Sequence, residues 1–158
     1  TSVTILSGNS TGLNGTGNGT YIWAPATGLS CTTCANPTAN PTVTTTYTLS
    51  VTDTSGCVAW DTVRVKIVSD VIVNDGLSPN GDGLNDVWTI SNIESFPDCV
   101  VEVYNRWGEL LFSSVGYSTK WDATYKGKEL PVGTYYYVIN LNSDLHKEPI
   151  TGPITILR

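Results

Sequence analysis

Apolar and polar residues alternate with a period of two along the most regular part of the first half of the chain. Between residues 45 and 53, Tyr47, Leu49 and Val51 share one face, while threonine or serine occupies the other. Residues 57–68 repeat this alternation, with valine and isoleucine opposite threonine, arginine and lysine. A period of two is that of a half-buried strand, and the short turn between the two segments predicts a hairpin.

Further strands are predicted where short apolar runs are bounded by glycine, proline, asparagine or serine. They cover residues 2–6, 20–23, 71–74, 87–93, 100–104, 109–113, 134–141 and 150–157. Apolar residues do not recur at a spacing of three and four over any long window, so no helix is predicted. The chain is therefore predicted to be all-β, with two tandem immunoglobulin-like β-sandwich domains at residues 1–69 and 70–158.

Several residues have predicted places within this fold. Trp23 is the candidate core tryptophan of the first domain, and Tyr47 and Tyr136 are candidate tyrosine-corner residues. Gly108 is predicted to adopt the left-handed conformation that closes a hairpin. The glycine-rich residues 12–19 lack the lysine that follows a phosphate-binding loop, so they are predicted to form a flexible hairpin tip.

Charge is distributed unevenly between the two predicted domains. The net charge of −6 belongs to residues 70–158, which carry twelve acidic and six basic side chains. An acidic chain without a basic cluster is repelled by phosphate backbones, which argues against nucleic acid and anionic membranes as partners. No apolar run approaches the roughly 20 residues of a membrane-spanning helix. Because the chain begins at Thr1, we expect a piece of a longer protein whose targeting signal lies upstream.

The segment Leu77-Ser-Pro-Asn-Gly-Asp-Gly-Leu-Asn-Asp86, called here the polar turn, is the densest group of side-chain oxygens. Its oxygen donors are Asn80, Asp82, Asn85 and Asp86. Their spacing resembles part of a calcium-binding loop, although serine and threonine stand where the first acid and the bidentate glutamate belong. The alternative is a network of Asx turns that needs no metal. Both a structural calcium ion and a metal-free turn remain open at this point.

The four cysteines allow several interpretations. Cys31 and Cys34 are separated by two threonines, which suits a short disulfide, two free thiols, or half of a metal or redox site. A redox motif needs a βαβ context and a zinc site needs a second close pair, and neither is present in the sequence. A local disulfide is the preferred prediction, and the partners of Cys57 and Cys99 are left undetermined.

Nothing in the sequence predicts an enzyme. His146 is the only histidine and lies among charged residues of an expected turn, so no nucleophile and base are paired. A set of aromatic residues has two interpretations, a platform that stacks on sugars or the packed core of a small sandwich. These residues are Trp107, Tyr117, Trp121, Tyr125 and Tyr135 to Tyr137.

Four motifs of the second half, taken in order, resemble a known family. They are the polar turn, Val101-Glu-Val-Tyr-Asn-Arg-Trp-Gly108, Trp121-Asp122 and Leu130-Pro-Val-Gly-Thr-Tyr-Tyr-Tyr137. Together they resemble the gliding-motility-associated C-terminal domain of Bacteroidota, the type B sorting domain of the type IX secretion system. Ala123 departs from this pattern, because glycine commonly follows Trp-Asp. Residues 21–31, 36–41 and 44–53 are similar to the polycystic-kidney-disease-like repeats of large surface adhesins.

The resemblance implies a cargo signal that performs no chemistry and requires no cofactor. It implies recognition by outer-membrane components of type IX secretion, including a partner of the PorP/SprF type, and export through the periplasm to the cell surface. The expected recognition residues are the four of the polar turn together with Asn105, Arg106, Trp107, Gly108, Ile154, Ile156, Leu157 and Arg158. The alternative function is a terminal adhesion module that binds a glycan or another cell-surface protein.

Overall fold

The computed structural model describes residues 1–158 and divides into two compact units, Thr1–Asp70 and Val71–Arg158. Both units consist of strands and turns, and the one helical segment is a single 3-10 turn, Ile93–Ser95. The prediction of an all-β fold is confirmed, and sheets with one buried face give each unit a sandwich-like core. No helix has the length and hydropathy needed to cross a membrane.

The first unit is built on a four-stranded sheet of order β1-β6-β5-β3, in which β1 is parallel to β6 and the other pairs are antiparallel. A two-stranded ladder of β2 and β4 adds residues to the same core, which includes Trp23, Tyr47 and Leu49. Trp23 is therefore a core residue, as predicted. The strands are β1 Ser2–Leu6, β2 Thr11–Gly12, β3 Thr20–Ala24, β4 Thr38–Ala39, β5 Thr45–Thr52 and β6 Val58–Val68.

The prediction that residues 12–19 form the tip of a hairpin is wrong. Gly12 belongs to β2, which pairs with β4 rather than with the following strand. Gly15 donates a backbone hydrogen bond to the Ala35 carbonyl, 2.8 Å away. A Cβ placed on Gly19 would overlap the Thr52 carbonyl oxygen. Glycine is needed at this position because the backbone passes directly against β5.

The second unit is built on a five-stranded sheet of order β11-β10-β14-β15-β8, completed by the ladders β7-β9 and β12-β13. Strand β15 lies between β14, to which it is antiparallel, and β8, to which it is parallel. The last strand is therefore inside the sheet, and β11 is at its edge. The strands are β7 Ile72–Val73, β8 Gly76–Leu77, β9 Ile90–Ser91, β10 Val100–Tyr104, β11 Leu110–Val115, β12 Thr124–Tyr125, β13 Lys128–Glu129, β14 Gly133–Asn140 and β15 Ile150–Ile156.

An aromatic cluster fills the core of the second unit around Trp88. The Trp88 ring centroid lies 6.0 Å from that of Tyr117, 6.4 Å from that of Trp121 and 5.1 Å from that of Tyr137. The indole nitrogen of Trp88 donates to the Asn74 carbonyl at 2.7 Å, and its backbone N–H donates to the Trp121 carbonyl at 2.7 Å. The edge-on ring contacts of Trp88 with Tyr117 and Trp121 add specificity to the burial of a large apolar area.

These bonds explain why the predicted strand at residues 87–93 is mostly absent. The backbone of Trp88 bonds to the Trp121 segment instead of continuing a ladder, so only Ile90–Ser91 is a strand. Asn92 then adopts a positive φ of 64°, and the 3-10 turn follows. The apolar run that predicted a strand over residues 87–93 could not predict the hydrogen-bond partners of this segment.

Candidate functional site

The polar turn is organised around the carboxylate of Asp86. One carboxylate oxygen accepts hydrogen bonds from the backbone N–H groups of Asn80, at 3.0 Å, and Gly81, at 2.7 Å, and the other accepts from Gly83 at 2.8 Å. The hydrogen bonds from Gly81 and Gly83 lower the pKa of Asp86, because they favour its charged form. Asp86 therefore closes the turn as an acceptor of backbone N–H groups.

The side chains of Asn80 and Asp82 bond to each other and to the backbone of the turn. Asn80 accepts from the Asp82 N–H at 3.1 Å and donates from Nδ2 to the Asp82 carboxylate at 3.0 Å. The Asp82 carboxylate also accepts from the Leu84 N–H at 2.8 Å, while the Ser78 N–H donates to the Asn85 carbonyl at 2.8 Å. This is the Asx-turn network that formed the metal-free alternative.

The geometry of the turn fits calcium poorly. Calcium takes six to eight oxygen ligands that face the ion. Here both oxygens of Asp86 already face backbone N–H groups, and no group of three His, Cys, Asp or Glu residues is placed to hold a metal. Calcium binding at Asn80, Asp82, Asn85 and Asp86 stays a prediction for chelation to test.

The polar turn begins beside the terminal strand. Leu77 is buried and pairs in parallel register with Ile156, and the Leu157 N–H donates to the Leu77 carbonyl at 2.9 Å. Ile154 and Ile156 are fully buried, so their side chains are part of the core and are not accessible on the folded surface. Of the four predicted recognition residues of this strand, only Leu157 and Arg158 are exposed.

The hairpin turn at residues 105–108 is held by Asn105. Its Oδ1 accepts from the N–H groups of Trp107 and Glu109, each at 3.0 Å, and its Nδ2 donates to the Glu109 carboxylate at 2.9 Å. Gly108 has a φ of +82°, which confirms the predicted left-handed conformation. With Asn105 and Gly108 forming the turn, Arg106 and Trp107 project outward. Trp107 is 79% exposed, and the Arg106 guanidinium carbon lies 4.6 Å from its ring centroid.

A groove of about 600 Å³ lies between this hairpin turn and the segment 130–136. We call it the Trp107 groove. Its lining includes Trp107, Glu109, Tyr125, Leu130, Val132 and Tyr136. The Tyr125 hydroxyl donates to the Glu109 carboxylate at 3.3 Å, and Lys126 Nζ lies 4.7 Å from the Tyr125 ring centroid. The groove thus combines exposed aromatic rings with neighbouring cations.

Arg158 connects the end of the chain to this groove. Its guanidinium donates to the Leu130 carbonyl at 2.7 Å and forms an ion pair with Glu129 at 3.2 Å. Burial raises the pKa of Tyr135 at the base of the groove, while the positive charges of Arg158 and Arg106 act in the opposite direction. The structure therefore brings two predicted recognition segments together, although 50 positions separate Arg158 from Gly108.

The predicted tyrosine corner is displaced by one residue. Tyr136 is 49% exposed, whereas Tyr135 is buried and its hydroxyl donates to the Pro131 carbonyl at 2.9 Å, four residues upstream. The other aromatic residues divide between the two interpretations. Tyr117 and Trp121 belong to the core, while Trp107 is on the surface.

The four cysteines are free thiols in this structure. The Cys34 N–H donates to the Cys31 sulfur at 2.9 Å, and the Trp23 indole donates to the Cys34 carbonyl at 3.0 Å. Hydrogen bonding from Cys34 lowers the pKa of Cys31, and the same interaction raises that of Cys34. The two thiols are therefore neighbours, and the disulfide between them stays a prediction. Cys57 is exposed and Cys99 is buried.

Comparison with known proteins gives one family and several solved structures. The family described as the CHU_C type IX secretion signal domain matches residues 71–156. No curated protein matches the chain.

The solved structures are distant in sequence. The chain is 12% identical to Sidekick-1 immunoglobulin domains 1–4. The match covers 98% of this chain and 48% of the Sidekick-1 chain, with a TM-score of 0.37. The identity to DIP-gamma IG1+IG2 is 11%, and the match covers 97% of this chain and 91% of the DIP-gamma chain, with a TM-score of 0.47. The identity to dimeric latent PorU from Porphyromonas gingivalis is 18%. That match covers 87% of this chain and 16% of the PorU chain, with a TM-score of 0.31. The chain thus spans about half of the Sidekick-1 chain.

Proposed function

Because this chain belongs to the family of CHU_C type IX secretion signal domains, we propose that it is the sorting end of a large cell-surface adhesin of gliding motility. Membership of the family means a sorting signal, interaction with the secretion machinery and export across the outer membrane. The finer proposal is a parent of the SprB kind in Bacteroidota, with residues 1–69 as an adhesin repeat ahead of the signal. The ordered family motifs in the second unit support it.

We propose that the signal is read by a PorP/SprF-type outer-membrane protein and that the cargo stays at the cell surface. The acidic second unit presents a folded surface with exposed Trp107 and Arg106, and residues 150–156 are paired on both sides within its sheet. Recognition of a folded surface suits this arrangement, because residues 150–156 would have to leave the sheet to be read as a linear peptide.

We also propose that the domain acts by binding alone, without catalysis and without a required cofactor. The polar side chains of the turns are engaged in local hydrogen bonds, and the His146 ring lies edge-on to Phe96 at a centroid distance of 6.2 Å. These groups stabilise loops in the second unit.

The test is delivery of a passenger by the chain. A monomeric reporter is joined to the N-terminus of residues 1–158 or of residues 1–70 and expressed, with a periplasmic leader, in a bacterium that has type IX secretion. We expect external protease to reach the reporter only with the longer fusion, because only it contains the family domain. Equal retention of both fusions in the periplasm would contradict the proposal.

A second candidate function is an adhesion module that binds glycans, favoured by the exposure of Trp107 and Tyr136. Stacking of a sugar on an aromatic ring is a common mode of recognition, and a glycan array probed with the whole chain measures it directly. Binding in the array together with failed delivery would favour this function over the sorting signal.

A further inference from the structure

Three large exposed apolar side chains of the second unit lie around the same groove. Trp107, Val132 and Tyr136 line the Trp107 groove and are 79%, 59% and 49% exposed. Leu110 follows the groove residue Glu109 in sequence and is 42% exposed. Contiguous apolar patches of this kind on a soluble domain mark interaction sites, whereas scattered apolar residues do not.

Basic side chains gather around the same groove, although the second unit is acidic. Arg106 lies over the Trp107 ring, Lys126 lies over the Tyr125 ring, and Arg158 is bonded to Leu130 at the groove wall. These three are half of the six basic residues between positions 70 and 158. Trp, Tyr and Arg are also the residues that dominate binding energy in protein interfaces.

We propose that the Trp107 groove is the docking site for a protein component of the secretion machinery. Its ligand is a protein segment that places an apolar side chain against Trp107 and Val132, with carboxylates facing Arg106 and Lys126. This inference rests on the proposed function and specifies where on the domain it occurs. The net charge of −6 repels an acidic partner elsewhere on the surface. At this groove Arg106 and Lys126 attract its carboxylates, while the groove's own Glu109 bonds to Tyr125 and Glu129 pairs with Arg158.

The arrangement of the cations favours a protein over a glycan. A sugar stacks on the open face of an aromatic ring, but one face of Trp107 is covered by the Arg106 guanidinium and one face of Tyr125 is approached by the Lys126 ammonium. Cations beside aromatic rings offer charge-assisted hydrogen bonds to carboxylates next to an apolar contact. Neutral sugars have no carboxylate to complete such a charge-assisted bond.

Arg158 acts as a positioning residue in this proposal. It holds the Leu130 carbonyl and the Glu129 carboxylate, so it fixes the wall of the groove opposite the hairpin turn. Arg158 thereby influences recognition without being inserted into a partner. This role differs from that of Ile154 and Ile156, whose side chains are buried in the core.

The experiment uses the passenger fused to the whole 158-residue chain and measures the protease-accessible fraction of the passenger. The groove variants are Trp107→Ala and Arg106→Glu. Val115→Ala removes apolar area from a residue that is 65% exposed outside the groove, and Lys147→Glu is the matched charge reversal outside it. We expect each groove variant to lower delivery about tenfold or more, as loss of an interface hot spot does, and both controls to match wild type.

Thermal melts and a glycan array accompany the delivery assay. Reduced delivery with unchanged melting temperature supports docking at the groove. Delivery of both groove variants at the wild-type level overturns the inference and leaves the sorting function standing, whereas a wild-type fusion that is not delivered overturns both. Loss of delivery matched by loss of stability in both variants also counts against docking. Loss of glycan binding by Trp107→Ala with normal delivery assigns the groove to a sugar instead.

Discussion

Tyr117 is the residue whose environment gives the sharpest quantitative prediction. Its side chain is buried in the aromatic cluster, where the hydroxyl donates to the Trp88 carbonyl at 2.7 Å and accepts from the Trp121 N–H at 3.3 Å. Burial raises the pKa of Tyr117 from 10.0 to about 12, since the phenolate would lose its hydration, while the hydrogen bond from Trp121 acts in the opposite direction.

This raised pKa makes the stability of the second unit fall at alkaline pH. Between pH 10 and 12 the unfolded chain releases the Tyr117 proton while the folded chain retains it, so the free energy of unfolding decreases as the pH rises. Two pKa units correspond to about 3 kcal/mol when the loss is complete. Below pH 10 Tyr117 is protonated in both states, and its contribution is independent of pH.

Replacing Tyr117 by Phe tests this reasoning. At about pH 8 the variant should be less stable than wild type by about 1.5 kcal/mol, because the Trp88 carbonyl and the Trp121 N–H lose their partner. The variant has no proton to release at this position, so its stability should fall less steeply with pH. The two stability curves should therefore cross at about pH 11, where the pH-dependent loss of wild type equals the cost of the substitution.

Urea unfolding followed by tryptophan fluorescence, at half-unit steps from about pH 8 to about pH 12, measures both curves. The other tyrosines titrate in both proteins, so the difference between the curves isolates Tyr117. Parallel curves with a constant offset would refute the assigned environment. A crossing near about pH 11 would establish that the hydroxyl is buried and bonded in its protonated form.

Three further predictions concern other parts of the chain. Asp86→Asn should lower the hydrogen-exchange protection factors of the polar-turn amides at neutral pH. In wild type the same protection factors should fall as the pH drops below about 4, because the depressed pKa of Asp86 stabilises the turn only while the carboxylate is charged. EDTA should leave the melting temperature unchanged, and a drop of several degrees would indicate bound calcium. Gly19→Ala should destabilise the first unit by about 2 kcal/mol in urea unfolding, whereas Gly12→Ala, whose Cβ meets nothing within 4 Å, should unfold like wild type. Tyr135→Phe should cost about 1 kcal/mol of unfolding free energy through its lost hydrogen bond, and Tyr136→Phe less than about 0.5 kcal/mol; equal losses would place the corner elsewhere.

The long strands could be predicted because their patterns reflect burial of one face. In β5 and the second half of β6 alternate residues pack toward the core, and alternation located both strands to within one residue of the observed bounds, although the first half of β6 is exposed. The two-residue strands β2, β4, β8, β12 and β13 could not be predicted in this way, since two positions show no period. Their pairing depends on partners far away in the sequence, as in β8 with β15.

The Trp107 groove was also beyond prediction from local patterns. Its wall depends on the bond from Arg158 to Leu130, 28 positions away, and on the bond from Tyr125 to Glu109, 16 positions away. Nothing in the neighbourhood of Arg158 in the sequence signals that bond. The one-residue error at the tyrosine corner has a similar cause, because three successive tyrosines satisfy the same motif and only packing selects Tyr135.

Most residues of the motifs that carry the family resemblance form and stabilise the fold. Few of them therefore remain as candidates for contact with a partner. Asp86 closes the polar turn, and Asn105 and Gly108 form the hairpin turn. Arg106 and Trp107 differ from them, because both side chains project outward while the residues on either side hold the turn. A partner that binds the folded surface therefore meets Arg106 and Trp107 first, and the surrounding motif residues serve to present them.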